Sequence, residues 1–132
     1  MDQPLILTHT GVCGVNPHWR NVDDEQLRAV ADTGGVIGVI FHPPYLRPKG
    51  GSVGAALVVD HIAHIVETVG EDHAAIGSDF DGAISPHSSL RGADCYPQLV
   101  EEMLHRGWTS ERIQKILGQN FLNCWERLRP TQ

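Results

Sequence analysis

Three short apolar segments, 4–9, 36–41 and 74–79, each run into polar residues or glycine, and stretches with helical spacing separate them. Segments this short that are apolar on both alternating faces suit strands covered on both sides, which is the condition of a parallel sheet. Between the first two, 23–32 opens with Asp23, Asp24 and Glu25. Acids there meet the positive end of a helix, Leu27, Val30 and Ala31 share one face, and Gly34 and Gly35 close it. Between the second and third, 53–69 repeats Leu57, Ile62, Ala63, Val66 and Val69 at helical spacing and stops at Gly70. The intervening 42–52, with Pro43, Pro44, Gly50 and Gly51, reads as a long loop. Further helices are predicted over 96–106, over 109–117 with Thr109 or Ser110 as cap, and over 121–128.

This alternation implies parallel strands joined by right-handed crossovers, with function at their carboxyl ends. Three strands apolar on both faces leave two open sheet edges. The expected fold is therefore α/β, a partial (β/α)8 TIM barrel of about three strand–helix units. A whole barrel takes about 250 residues, and this chain of 132 is expected to be one incomplete domain over 1–132.

A net charge of −6 offers no footprint for a phosphate backbone, so no nucleic-acid partner is expected. The longest apolar runs, around 35–41 and 55–59, are far short of the roughly 20 residues of a membrane span. Asp2 stands where a signal peptide carries positive charge. No membrane association and a cytoplasmic location are expected. Cys13, Cys95 and Cys124 are too widely spaced for a disulfide framework or a thiolate knuckle. No nucleophile elbow, phosphate loop or dinucleotide fingerprint is present.

Eight histidines are the feature that composition leaves to explain. His9, His42 and Asp79 stand at the three strand ends, which in a barrel converge on one site. Imidazole and carboxylate supply the lone pairs that a divalent metal or a general base needs. Asp79-Phe80-Asp81-Gly82 lacks the further oxygen ligands of a calcium loop. His61 and His64, at i and i+3 on the 53–69 helix, are expected on its exterior, with Asp60 and His64 as an i, i+4 pair. His18, His73, His87 and His105 read as surface residues. Arg20, in the loop after the first strand, offers a planar fork able to hold a carboxylate in two bonds.

Six blocks carry a resemblance: Pro4-Leu5-Ile6-Leu7-Thr8-His9-Thr10; Arg20-Asn21 before an acidic helix start; Gly34-Gly35-Val36-Ile37-Gly38-Val39; Asp60-His61-Ile62-Ala63-His64-Ile65; Gly77-Ser78-Asp79-Phe80-Asp81-Gly82; and Gly118-Gln119-Asn120-Phe121-Leu122. In order and spacing they resemble the C-terminal portion of the membrane (renal) dipeptidase family of zinc peptidases. The resemblance implies the last three strand–helix units of a barrel, two zinc ions as cofactors and hydrolysis of dipeptides by metal-activated water. It implies His9 as a zinc ligand, Arg20 as the residue that binds the substrate's terminal carboxylate, and Asp79 as the carboxylate that handles protons. Thr8 and Thr10 stand where many relatives have serine, Ile40 stands where many have asparagine, and the resemblance gives His42 no metal role. The family's His-x-Asp, bridging glutamate, second zinc histidine and carbonyl-contacting histidine have no counterpart in this sequence. The expectation is accordingly a C-terminal fragment that is inactive alone, with a dipeptide as substrate and either a second copy or an upstream complementary half as partner. The competing expectations are a non-catalytic barrel remnant or interaction module, and a different metal-dependent barrel amidohydrolase.

Overall fold

The computed structural model describes residues 2–130. The assignment of one domain to 1–132 also takes in Met1, Thr131 and Gln132, which lie outside the described residues. β1 (Ile6–Thr10), β2 (Val36–Val39) and β3 (Ala74–Ile76) form one parallel sheet in the order β1-β2-β3. Ile6 and Leu7 pair with Val36 and Ile37, but Thr10 pairs with Val39, so the register slips between Leu7 and Thr10. β2 and β3 stop short of the carboxyl ends of their apolar segments, while β1 starts at Ile6 and runs one residue past its segment, to Thr10.

α1 (Asp24–Asp32) carries the chain from β1 to β2, and α3 (Gly54–Val69) from β2 to β3. Asp23 begins α1 with a reciprocal cap: its Oδ1 accepts from Gln26 N–H at 2.8 Å, and Gln26 Oε1 accepts from Asp23 N–H at 2.9 Å. α4 (Tyr96–His105) follows a 3-10 turn at Ala93–Cys95 and packs against α3. Leu27, Ile37, Val39, Leu57, Ile62, Ile65, Leu99, Met103 and Ile116 fill the space between sheet and helices. No helix among the described residues is long and apolar enough to cross a membrane.

Two expectations about elements need correcting. The loop over 42–52 contains a helical turn, α2 (Pro43–Leu46), because prolines at the first positions of a turn lose no hydrogen bond and have φ already set. The expected break between 117 and 121 is present as a kink at Gly118, whose φ of 179° and ψ of −26° are not helical. α5 (Ser110–Gln114) passes through a wide π turn at Lys115–Gln119 into α6 (Asn120–Leu128). The wide turn keeps Ile116 inside while the buried Asn120 amide donates to Glu71 O at 2.6 Å and Ala74 O at 2.9 Å, at the start of β3. The inward stripe of α3 is Leu57, Val58, His61, Ile62 and Ile65, rotated from the stripe read through Ala63, Val66 and Val69. The turn is visible in the ion pairs: Asp60 binds Arg106 of the α4 end at 2.8 Å instead of pairing with His64.

Ile62 is wholly buried in the centre of α3. Ile62→Ala is expected to destabilise the protein by about 2–5 kcal/mol, as deletion of a packed aliphatic side chain leaves a cavity; urea unfolding should show a lower midpoint with an unchanged slope.

Candidate active site at the carboxyl ends of the strands

The slip in β1 turns the Thr8 carbonyl across the sheet face. It lands where a Cβ at Gly38 or Gly77 would be, so side chains at those positions would collide with backbone. Next to Thr8, His9 is half-buried, with its Nδ1 hydrogen-bonded to Thr8 Oγ1 at 2.8 Å. No hydrogen bond among the described residues engages its Nε2.

The loop over 11–23 folds back on itself to present Arg20. Cys13 N–H donates to Val22 O at 2.8 Å and Val22 N–H to Gly11 O at 3.1 Å, closing the base of the loop. Asn16 and Asn21 side-chain amides both donate to Tyr45 O at 2.7 Å, which fastens the loop to α2. Arg20 Nη2 then donates to His9 O at 3.4 Å, and its guanidinium carbon lies 6.0 Å from the centre of the Tyr45 ring. The structure thus brings Arg20 and His9 together at the end of β1.

Asp79 follows β3 in a backbone conformation rare for residues other than glycine. Asp79, Asp81 and Ala83 have φ of 63°, 64° and 62°, and Gly82 N–H closes the turn on Asp79 O at 3.0 Å. Aspartate tolerates this left-handed region better than alanine does, and alternate residues held there cost on the order of 1–2 kcal/mol each. A Cβ at Gly82 would overlap the Asp79 carboxylate, so glycine is what leaves room for that group. Beside this turn opens a cleft of about 500 Å³ lined by Phe80, Asp81, Ala83, Ile84, Ser85, Pro86 and Arg91.

His42, the third strand-end residue, lies between α2 and the loop after β3. It precedes α2, its ring meets Tyr45 edge-on at 4.5 Å, and its Nδ1 accepts from Ser85 N–H at 3.3 Å. Burial lowers its pKa, while the charge of Asp79 pulls it back up. His42 therefore joins the loop after β3 to α2 and faces Asp79 electrostatically.

His61 and His64 were expected on the exterior, and that expectation is overturned for His61. It is wholly buried, accepting from Val12 N–H through Nδ1 at 3.0 Å and reaching Leu46 O through Nε2 at 2.8 Å. His64 pairs with Asp24 at 2.7 Å across to α1. The signal for His61 was its spacing: it falls four residues after Leu57 and four before Ile65, on the inward stripe.

Burial holds the His61 pKa down at about 4, below the ordinary 6.5 of a free imidazole, against the pull of the Leu46 carbonyl and Asp60. The neutral ring is the form that the folded state favours. Its contribution is present in full above pH 6.5 and is lost as pH falls from 6.5 through 4, for a total on the order of 3 kcal/mol. Denaturant unfolding across this window should show a steep acid loss that His61→Asn flattens.

Among the described residues, no three of His, Cys, Asp or Glu come together in a group able to hold a metal ion. The described residues alone therefore do not fit a bound metal, and His9 stands as a single donor.

The family described as membrane dipeptidase, peptidase family M19, matches residues 2–131. A dipeptidase of Aspergillus terreus is 37% identical over 126 residues, covering 95% of this chain and 31% of its own length. An uncharacterized Klebsiella pneumoniae protein is 36% identical over 131 residues, covering 94% of this chain and 48% of its own. A metallopeptidase from Rhodobacter sphaeroides, solved with a phosphinate mimic of the dipeptide L-Ala-D-Ala, superposes with a TM-score of 0.86 at 32% identity, over 97% of this chain and 37% of that one. The chain thus spans about a third to a half of the length of the relatives it matches.

Proposed function

Since this chain belongs to the membrane dipeptidase family of peptidases, we propose that it carries part of the catalytic face of a zinc-dependent dipeptidase. Its three strands are the last three strand–helix units of a (β/α)8 barrel, and the polypeptide is inactive alone. The observation that carries this reading is the meeting of Arg20 with His9 at the carboxyl end of β1. A fixed cation beside a histidine with an unengaged Nε2 suits a substrate whose carboxylate lies one residue from the bond to be cut.

Arg20 receives the C-terminal carboxylate of the dipeptide, its fork held over Tyr45 so that little freedom is lost on binding. His9 offers Nε2 as one zinc donor, the other ligands coming from outside the described residues. Asp79 accepts the proton that leaves the attacking water and returns it to the departing amine, so that water is added across the peptide bond and two amino acids result. The strained turn at 79–83 and the space above Gly82 keep its carboxylate where that exchange occurs.

The test is zinc content and dipeptide hydrolysis of the purified chain. Neither stoichiometric zinc nor turnover is expected from the chain alone; zinc bound one-to-one with turnover would overturn the assignment of the missing ligands to other residues. In a complex with a polypeptide supplying the remaining barrel strands, His9→Ala should abolish metal-dependent hydrolysis. Arg20→Ala should raise KM about tenfold to a hundredfold, the scale of a lost hydrogen-bonded charge, with a smaller change in kcat.

A further inference from the structure

The loop that presents Arg20 depends on one buried side chain outside the strand ends. His61, in the middle of α3, meets a donor on one side, Val12 N–H at 3.0 Å, and an acceptor on the other, Leu46 O at 2.8 Å. These two partners allow one form of the ring: neutral, with Nδ1 bare and the proton on Nε2. Both ends of the contact matter to Arg20. Val12 opens the loop and bridges to Val22, two residues after Arg20. Leu46 ends α2, where the neighbouring Tyr45 offers its carbonyl to Asn16 and Asn21 and its ring to the guanidinium.

A second histidine braces the same loop one turn further along α3. His64 binds Asp24 just beyond the loop, and a Cβ at Gly14 would collide with its ring, so the loop backbone lies directly on that imidazole.

We propose that His61 is a positioning residue for carboxylate binding: through Val12 and Leu46 it sets the loop over 11–23 against α2, so that Arg20 is placed beside His9 before a ligand arrives. This rests on the reading of Arg20 as the residue that binds the substrate carboxylate. Placing the cation in advance spares the ordering cost at the moment of binding.

The experiment compares the chain with His61→Leu, which removes both bonds, and with His61→Asn, whose Oδ1 sits where Nδ1 does and keeps the acceptor for Val12. Histidine nitrogen NMR should find His61 neutral with its proton on Nε2. In His61→Leu the Val12 amide should exchange on the order of tenfold or more faster, as expected when a buried donor loses its partner, while Ile37 and Val39 amides in β2 stay protected. Titration with N-acetylglycine, followed at the Arg20 Nε signal, should weaken by about tenfold in His61→Leu and remain near the parent value in His61→Asn.

A bare Nε2, an unchanged Val12 exchange rate in His61→Leu, or loss of protection in His61→Asn equal to that in His61→Leu would each overturn the proposal. Should His61→Leu not fold, the tautomer and His61→Asn decide it. If N-acetylglycine leaves Arg20 unmoved in the parent chain while the tautomer and the Val12 exchange behave as stated, the carboxylate role of Arg20 falls and the loop-setting role of His61 stands.

Discussion

The arrangement of the polar end of the molecule depends on how closely three backbones approach one another at Thr8, Gly38 and Gly77. The Thr8 carbonyl occupies the space in which side chains at 38 and 77 would stand. That seat follows from the slip in β1, and it fixes where the chain leaves each strand. His9 sits one residue after Thr8, and Asp79 two residues after Gly77. The places where His9 and Asp79 leave the sheet therefore follow from main-chain contact, in an interior too closely packed to give way.

Around that seat the chain uses hydrogen bonds from one loop to the next in place of further strands. Asn16 and Asn21 reach α2, Ser85 reaches His42, and His61 joins the start of one loop to the end of another turn. Histidine suits such joints because its ring offers a donor and an acceptor on opposite sides of one rigid plane. Of the eight histidines, His42, His61, His64 and His73 spend a ring nitrogen on tying loops, helices or the foot of the sheet together. The high histidine content is thus in good part a structural device.

The sequence made the alternation of strands and helices legible because buried parallel strands are apolar on both faces and the helices between them begin and end on caps and glycines. It placed His9, Arg20 and Asp79 at strand ends and loops where the structure also has them, and it associated them through a family resemblance that spacing alone does not supply. It did not reveal His61, since a histidine facing inward looks like a histidine facing outward until the helix phase is known to within a third of a turn. Ala63, Val66 and Val69 flank the inward stripe closely enough to suggest another phase. Gly118 is legible as the stop before α6, and its non-helical backbone kinks the chain there; the buried amide of Asn120 that ties the start of α6 to Glu71 and Ala74 carries no such signal.

The sheet ends at β1 on one side and β3 on the other, and the β3 side is bordered by apolar side chains that face outward. Leu117, Phe121, Leu122 and Trp125 are between 36% and 55% exposed, and a groove of about 340 Å³ runs among Ala75, Ile76, Ile116, Leu117, Gly118, Phe121 and Leu122. An uncapped strand beside a greasy rim behaves as a template, since any extended chain can complete its ladder and cover the rim in the same step.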